Sequence, residues 1–247
     1  MKNPNWRVII GVLLIILSAV VYSIHFLIFR DAHHIFMYLV GDIGFAFIEV
    51  LLVTLIIDQL LHQREKRSLL HKLNMIIGVF FSEGGSELLR MLSEYDPEVG
   101  RIRQELVGKD RWSQESFSET SQRIRGYQFK MDSQKGGLEG LRDFLREKKD
   151  FFLRILENPN LLEHEKFTDT LWAVLHLAEE LTCRKSLQNL PKTDFAHLAG
   201  DLGRAYKNLI SEWLNYMIHL KTHYPYLFSL AIRINPFDPK AAPEVTE

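Results

Sequence analysis

The sequence predicts an all-α protein: a two-helix transmembrane hairpin followed by a cytosolic helical bundle. Three observations carry that expectation. Residues 8–57 are almost free of charge while the rest of the chain is densely charged. The charged part shows helical apolar stripes, two of them at heptad spacing. No stretch alternates apolar and polar residues as a half-buried strand would.

The first span is Val8 to Phe29, which contains no charged side chain. At 1.5 Å per residue it reaches roughly 33 Å, enough for a hydrocarbon core of about 30 Å. The run exceeds the apolar part of a secretory signal, and no small-x-small cleavage site follows it, so a retained span is expected. Arg30-Asp31-Ala32-His33-His34 is a short polar connector, and Ile35 to Ile57 forms the second span. Lys2 and Arg7 precede the first span, and Arg64, Lys66, Arg67 and Lys72 follow the second, while the connector offsets Arg30 with Asp31. Positive charge flanking both outer ends places both termini in the cytoplasm of a cell (inner) membrane. Arg64, Lys66, Arg67 and Lys72 then lie at anionic headgroups. Trp6, Tyr22 and Tyr38 suit the interface.

Asp42 and Glu49 interrupt the second span. Seven residues apart, they share a helix face. Gly11, Gly41 and Gly44 permit close helix approach. An ionised carboxylate near the midplane costs about 3 kcal/mol or more, so such groups face a bundle interior or water. One reading is a protonated Glu49 that donates a hydrogen bond to a neighbouring helix and holds a homo-oligomer together. The other is a ring of Glu49 side chains lining an ion or proton path.

Residues 58–95 read as a juxtamembrane helical stalk continuing the second span, with Leu61, Leu69, Leu73, Ile76, Ile77 and Phe80 on one face. A break is expected at Ser82–Gly85, then a short helix from Ser86 to Glu94. Residues 96–137 form a polar helical arm or linker. Asp96-Pro97 has the composition of a helix start, Gly108-Lys109-Asp110 that of an end, and Ser116-x-x-Glu119 that of a capping box.

The C-terminal bundle is expected over 138–234, with helices at Leu138–Glu157 and Thr168–Arg184 and a longer one from Thr193 or Asp194. The long helix repeats Ala199, Tyr206, Trp213, Leu220 and Phe195, Leu202, Leu209, Tyr216, His223 at intervals of seven, an aromatic seam suited to a globular antiparallel bundle. Pro225 bends or restarts the chain. The apolar segment that follows is too short to span a membrane. Residues 235–247 read as a frayed tail.

Chemistry is sparsely signalled. There is no phosphate-binding glycine loop, no dinucleotide fingerprint and no nucleophile elbow. The lone Cys183 excludes an internal disulfide. Basic and acidic residues number 30 and 31, giving no field for nucleic acid. His176 with Glu179 and Glu180, His197 with Asp201, and His219 with His223 each share a helix face, as in bundle metal sites. The first pair reverses the Glu-x-x-His order of di-iron bundles, and no second copy of that order follows it. The expectation is therefore a non-enzymatic, cofactor-free membrane protein acting in scaffolding, sensing or recruitment of a cytosolic protein. A small oligomeric channel using Glu49 and Asp42 is the alternative. A metal-dependent bundle enzyme drawing on His176, Glu180, His197, His219 and His223 comes third.

Overall fold

The structure is a computed structural model that describes residues 5–107, 119–120, 122–124, 126–127, 129–161 and 164–245, without the side chains of residues 5, 7 and 67. Lys2, Gly108-Lys109-Asp110, Ser116 and the Arg7 and Arg67 side chains lie outside the described residues. Every regular element among the described residues is helical. The chain divides into two compact units, Met1–Lys66 and Arg67–Glu247.

In the first unit, α1 covers Asn5–Phe29 and α2 begins at Ala32. The turn between them is shorter than the five-residue connector expected, for a local reason. Arg30 takes a left-handed conformation, φ 49°, and its N–H donates to the Phe26 carbonyl at 2.8 Å, closing α1. The Asp31 carboxylate then accepts the His34 N–H at 3.2 Å. This N-cap starts α2 three residues before Ile35. Both helices are long and apolar enough to cross a membrane. In this unit most of their large apolar side chains are exposed, Ile35 and Leu39 being half-buried, and Asp42 and Glu49 are exposed as well.

α2 runs without interruption from Ala32 to Phe80, so the stalk and the second span are one helix. The expected break at Ser82–Gly85 is instead a π-helical turn, Phe81–Gly85, leading directly into α3, Ser86–Ser93. The wider turn sits over an aromatic cluster. The Phe80 ring lies 5.1 Å from Phe81, 5.4 Å from Phe152 and 5.3 Å from Phe167. Gly85 is what lets the turn close on the Phe80 ring, because a Cβ at this position would collide with ring carbons of Phe80 and Phe81.

α4 spans Val99–Leu106. Asp96 accepts the Glu98 N–H at 2.8 Å, so the start signal acts one turn before the helix itself. Ile102, Leu106 and Ile124 are buried in the common core. Bundle helices α5 (Leu138–Leu156), α6 (Glu165–Cys183) and α7 (Lys192–His223) follow. The His164 ring caps α6 by accepting the Phe167 N–H at 3.1 Å. Of the two heptad rows on α7, Leu202, Tyr206, Leu209, Trp213 and Leu220 are buried. Pro225 opens α8, Pro225–Arg233, at a position where its missing N–H costs no helical bond.

The segment after Arg233 is anchored as far as Ala242 instead of fraying from residue 235. Asn235 donates to the Leu106 carbonyl at 2.9 Å, Phe237 is fully buried against Trp213, and the Ala242 N–H donates to the Arg233 carbonyl. Asn-Pro and Asp-Pro end the helix here but do not release the chain.

Gly85→Ala is expected to destabilise the fold by about 2 kcal/mol, through overpacking against a fully buried ring. That corresponds to a melting-temperature fall of roughly 5 °C. Gly84→Ala meets only ordinary contact with Phe152 at 3.6 Å and should shift the melt far less. Thermal denaturation of the two variants side by side checks the difference.

Candidate functional site

Helices α6 and α7 are joined by residues 184–191 and pack antiparallel in one core that includes Leu177, Ala178 and Leu181 of the first and Leu198, Leu202 and Ala205 of the second. At the edge of this apolar strip the two helices present matching segments, His176-Leu177-Ala178-Glu179-Glu180 and His197-Leu198-Ala199-Gly200-Asp201. In each, a histidine precedes a carboxylate by four residues, one helical turn away on the same face. Antiparallel packing sets the histidine of one helix against the acid of the other. His176 Nε2 lies 3.6 Å from Asp201 Oδ1 and 3.9 Å from Glu180 Oε1. His197 Nε2 lies 3.4 Å from Glu180 Oε2 and 3.3 Å from Asp201 Oδ2.

Two arginines hold the cluster from outside. Arg184 makes a two-pronged contact with Asp194, Nε to Oδ2 at 2.9 Å and Nη2 to Oδ1 at 2.6 Å, and donates through Nη1 to Glu180 Oε2 at 2.7 Å. The same guanidinium also donates to the Glu180 carbonyl at the end of α6. Arg204 Nη1 donates to Asp201 Oδ1 at 3.0 Å. Hydrogen bonding from Arg184 holds the Glu180 and Asp194 carboxyls below the usual carboxylate range. The Asp201 side chain is 4% exposed, whereas those of His176 and His197 are about half exposed. The site is thus an acid floor with two imidazoles at its mouth, an arrangement able to relay protons or hold a cation.

Of the five residues expected to bear metal chemistry, the structure gathers His176, Glu180 and His197 and leaves His219 and His223 elsewhere. The last two occupy the final turns of α7, stacked at 4.5 Å. Their neighbours are Tyr224, whose ring is 5.6 Å from His219, and His71. No carboxylate pairs with either of them among the described residues. The missing member of the gathered set is Asp201. Its signal was the repeated His-Leu-Ala-x-acid segment, a second copy in the reversed order, which the Glu-x-x-His template conceals. Asp42 and Glu49 lie exposed on α2 in the first unit, and Arg64, Lys66 and Lys72 are exposed along the same helix.

Residues 1–61 match a family model described as the MJ1433 N-terminal helical domain, and residues 69–233 one described as the MJ1433 C-terminal helical domain. The chain belongs to the MJ1433 family. A relative from Methanocaldococcus jannaschii, "Uncharacterized protein MJ1433", is 48% identical over 241 residues, 98% of this chain and 97% of the relative. No solved structure matches this chain. The division between the MJ1433 domains falls where the two compact units meet. The His176–Asp201 cluster lies wholly in the C-terminal domain, and Asp42 and Glu49 in the N-terminal one.

Burial, then His223 and His71, depresses the His219 imidazole below its ordinary value of 6.5. The folded state therefore favours the neutral ring, so this contribution to stability is present above about pH 6.5 and is lost as pH falls. Melting temperature should drop between about pH 7.5 and pH 5.5, and His219→Gln should flatten that part of the profile. An unchanged pH slope in the variant would assign the acid sensitivity to other groups.

Proposed function

We propose that this protein is a membrane-anchored assembly protein. In this reading an N-terminal helical hairpin crosses the inner membrane twice and self-associates. The helical bundle is held at the cytoplasmic face, where it recruits a cytosolic protein partner. The observation that carries the reading is the surface of the first unit. Leu, Ile, Val and Phe side chains on both helices, Leu39 apart, are roughly half or more exposed from Val8 to Phe29 and from Phe36 to Ile57. Each large apolar side chain left in water forgoes about 1.5–3 kcal/mol of burial. Two helices apolar on every side suit a hydrocarbon solvent. The flanking basic residues support cytoplasmic termini and, through Arg64, Lys66, Arg67 and Lys72, contact with lipid headgroups.

Self-association is supported by the two acids. Asp42 and Glu49 point outward from their own hairpin, and an acid facing lipid is costly. A second copy supplies the same face, with Gly41 and Gly44 beside it, where a protonated carboxyl donates across the contact.

The chain should remain with the membrane pellet after an alkaline carbonate wash, and protease added to intact cells should spare its C-terminal half. Release into the wash, or digestion of that half, overturns the anchoring. Glu49→Leu should lower the subunit number measured in detergent. If the assembly is unchanged and Glu49→Gln alters conductance in liposomes, the acid lines a pore instead.

A further inference from the structure

We infer that His176, Glu180, His197 and Asp201 form a binding site for one first-row divalent cation, of which Zn2+ is the best fit, clasping α6 to α7. Metal bonds of about 2.0–2.2 Å set the corners of a tetrahedron about 3.3–3.6 Å apart. Two of the histidine–carboxylate separations join the proposed donors, His197 Nε2 to Asp201 Oδ2 at 3.3 Å and His176 Nε2 to Glu180 Oε1 at 3.9 Å. One donor atom each from His176, Glu180 and Asp201 lies within 4.8 Å of the others.

The division of the oxygens gives a second, independent reason. Each carboxylate has one oxygen committed to an arginine: Glu180 Oε2 to Arg184, and Asp201 Oδ1 to Arg204. The other oxygen of Asp201, Oδ2, is buried and accepts no hydrogen bond, although it lies beside the His197 ring. A buried carboxylate oxygen without a donor is costly. Direct coordination by a cation removes that cost, with Glu180 Oε1 and the two Nε2 atoms completing the set. The arginines then act as outer-sphere partners that fix the carboxylate planes. With both imidazoles neutral, Glu180, Asp194 and Asp201 carry three negative charges against two from the arginines, so the cluster keeps a net negative charge for a cation. The half-exposed histidines leave an entry path from solvent. His176, Glu180 and Asp201 form the close trio, and His197, 3.3 Å from Asp201 Oδ2, is the fourth donor in this inference. A tetrahedron so filled has no open position for substrate, which makes the ion a structural clasp.

The test uses the untagged full chain in detergent, stripped with a chelator. Titrated with Co2+, it should take one equivalent, with the intense visible bands of a tetrahedral site, and Zn2+ should displace that ion and raise the melting temperature. Asp201→Asn and, because the buried position risks misfolding, the half-exposed His197→Gln should each weaken binding about 100-fold or more, beyond the loss typical of an outer-sphere change. The double variant His219→Gln, His223→Gln should bind as the parent does. Absence of a saturable equivalent overturns the site. So does binding that survives His197→Gln in a folded protein, or that vanishes only in the His219, His223 variant. None of these outcomes depends on whether the hairpin crosses a membrane.

Discussion

The antiparallel register of Glu165–Cys183 against Lys192–His223 is the constraint on which the rest of the bundle's chemistry depends. Each helix alone carries a histidine and an acid one turn apart, a modest pair in water. Only when Leu177, Ala178 and Leu181 share a core with Leu198, Leu202 and Ala205 do the polar edges meet as His176 with Asp201 and His197 with Glu180. A shift of one helix by a residue rotates its polar edge by about 100°, and the pairs no longer meet. Apolar packing therefore sets the electrostatics, since near-complete burial of the leucines tolerates little adjustment.

Two pairs on α7, His197 with Asp201 near its start and His219 with His223 at its end, show how far spacing alone can mislead. His219 and His223 have the same four-residue interval as His197 and Asp201, yet the groups beside them are His71 and Tyr224, and among the described residues no carboxylate pairs with either. What faces the helix decides what a pair can do. Positive charge at His219 is disfavoured by burial and by its histidine neighbours, whereas His176 and His197 each face two carboxylates. Nothing in one helix's own sequence distinguishes these outcomes.

Much of the helical architecture was legible because long periodic segments constrain the chain strongly. The seven-residue rows on α7 marked the side that is buried, from Leu202 to Leu220, and Pro225 marked the start of α8. The misread places are those where a single polar atom or a glycine acts locally. Asp31 caps α2 and shortens the connector. Gly84-Gly85 resembles a break but forms a π turn, because the chain must pass the Phe80 ring closely. Asn235 and Phe237 were hidden by the neighbouring prolines, since the breaker signal says where a helix ends and not whether the following residues find a pocket. For the site, three members were visible from spacing. Asp201 entered only as the neighbour of His197, because its partners His176 and Arg204 come from the other helix and from the next turn.

The arginines explain why such an acid-rich cluster can exist in a stable bundle. Asp194, Glu180 and Asp201 within one small region would repel one another, and the burial of Asp201 would raise the cost further. Arg184 ties the first two together and Arg204 holds the third. Those contacts reach only the outer oxygens. They leave the inward Oδ2 of Asp201, where a third arginine would have to enter between two imidazoles. In the metal site inferred from this geometry, a doubly charged ion takes that oxygen, and the outer salt bridges and the inner cation are then complementary and not competing solutions.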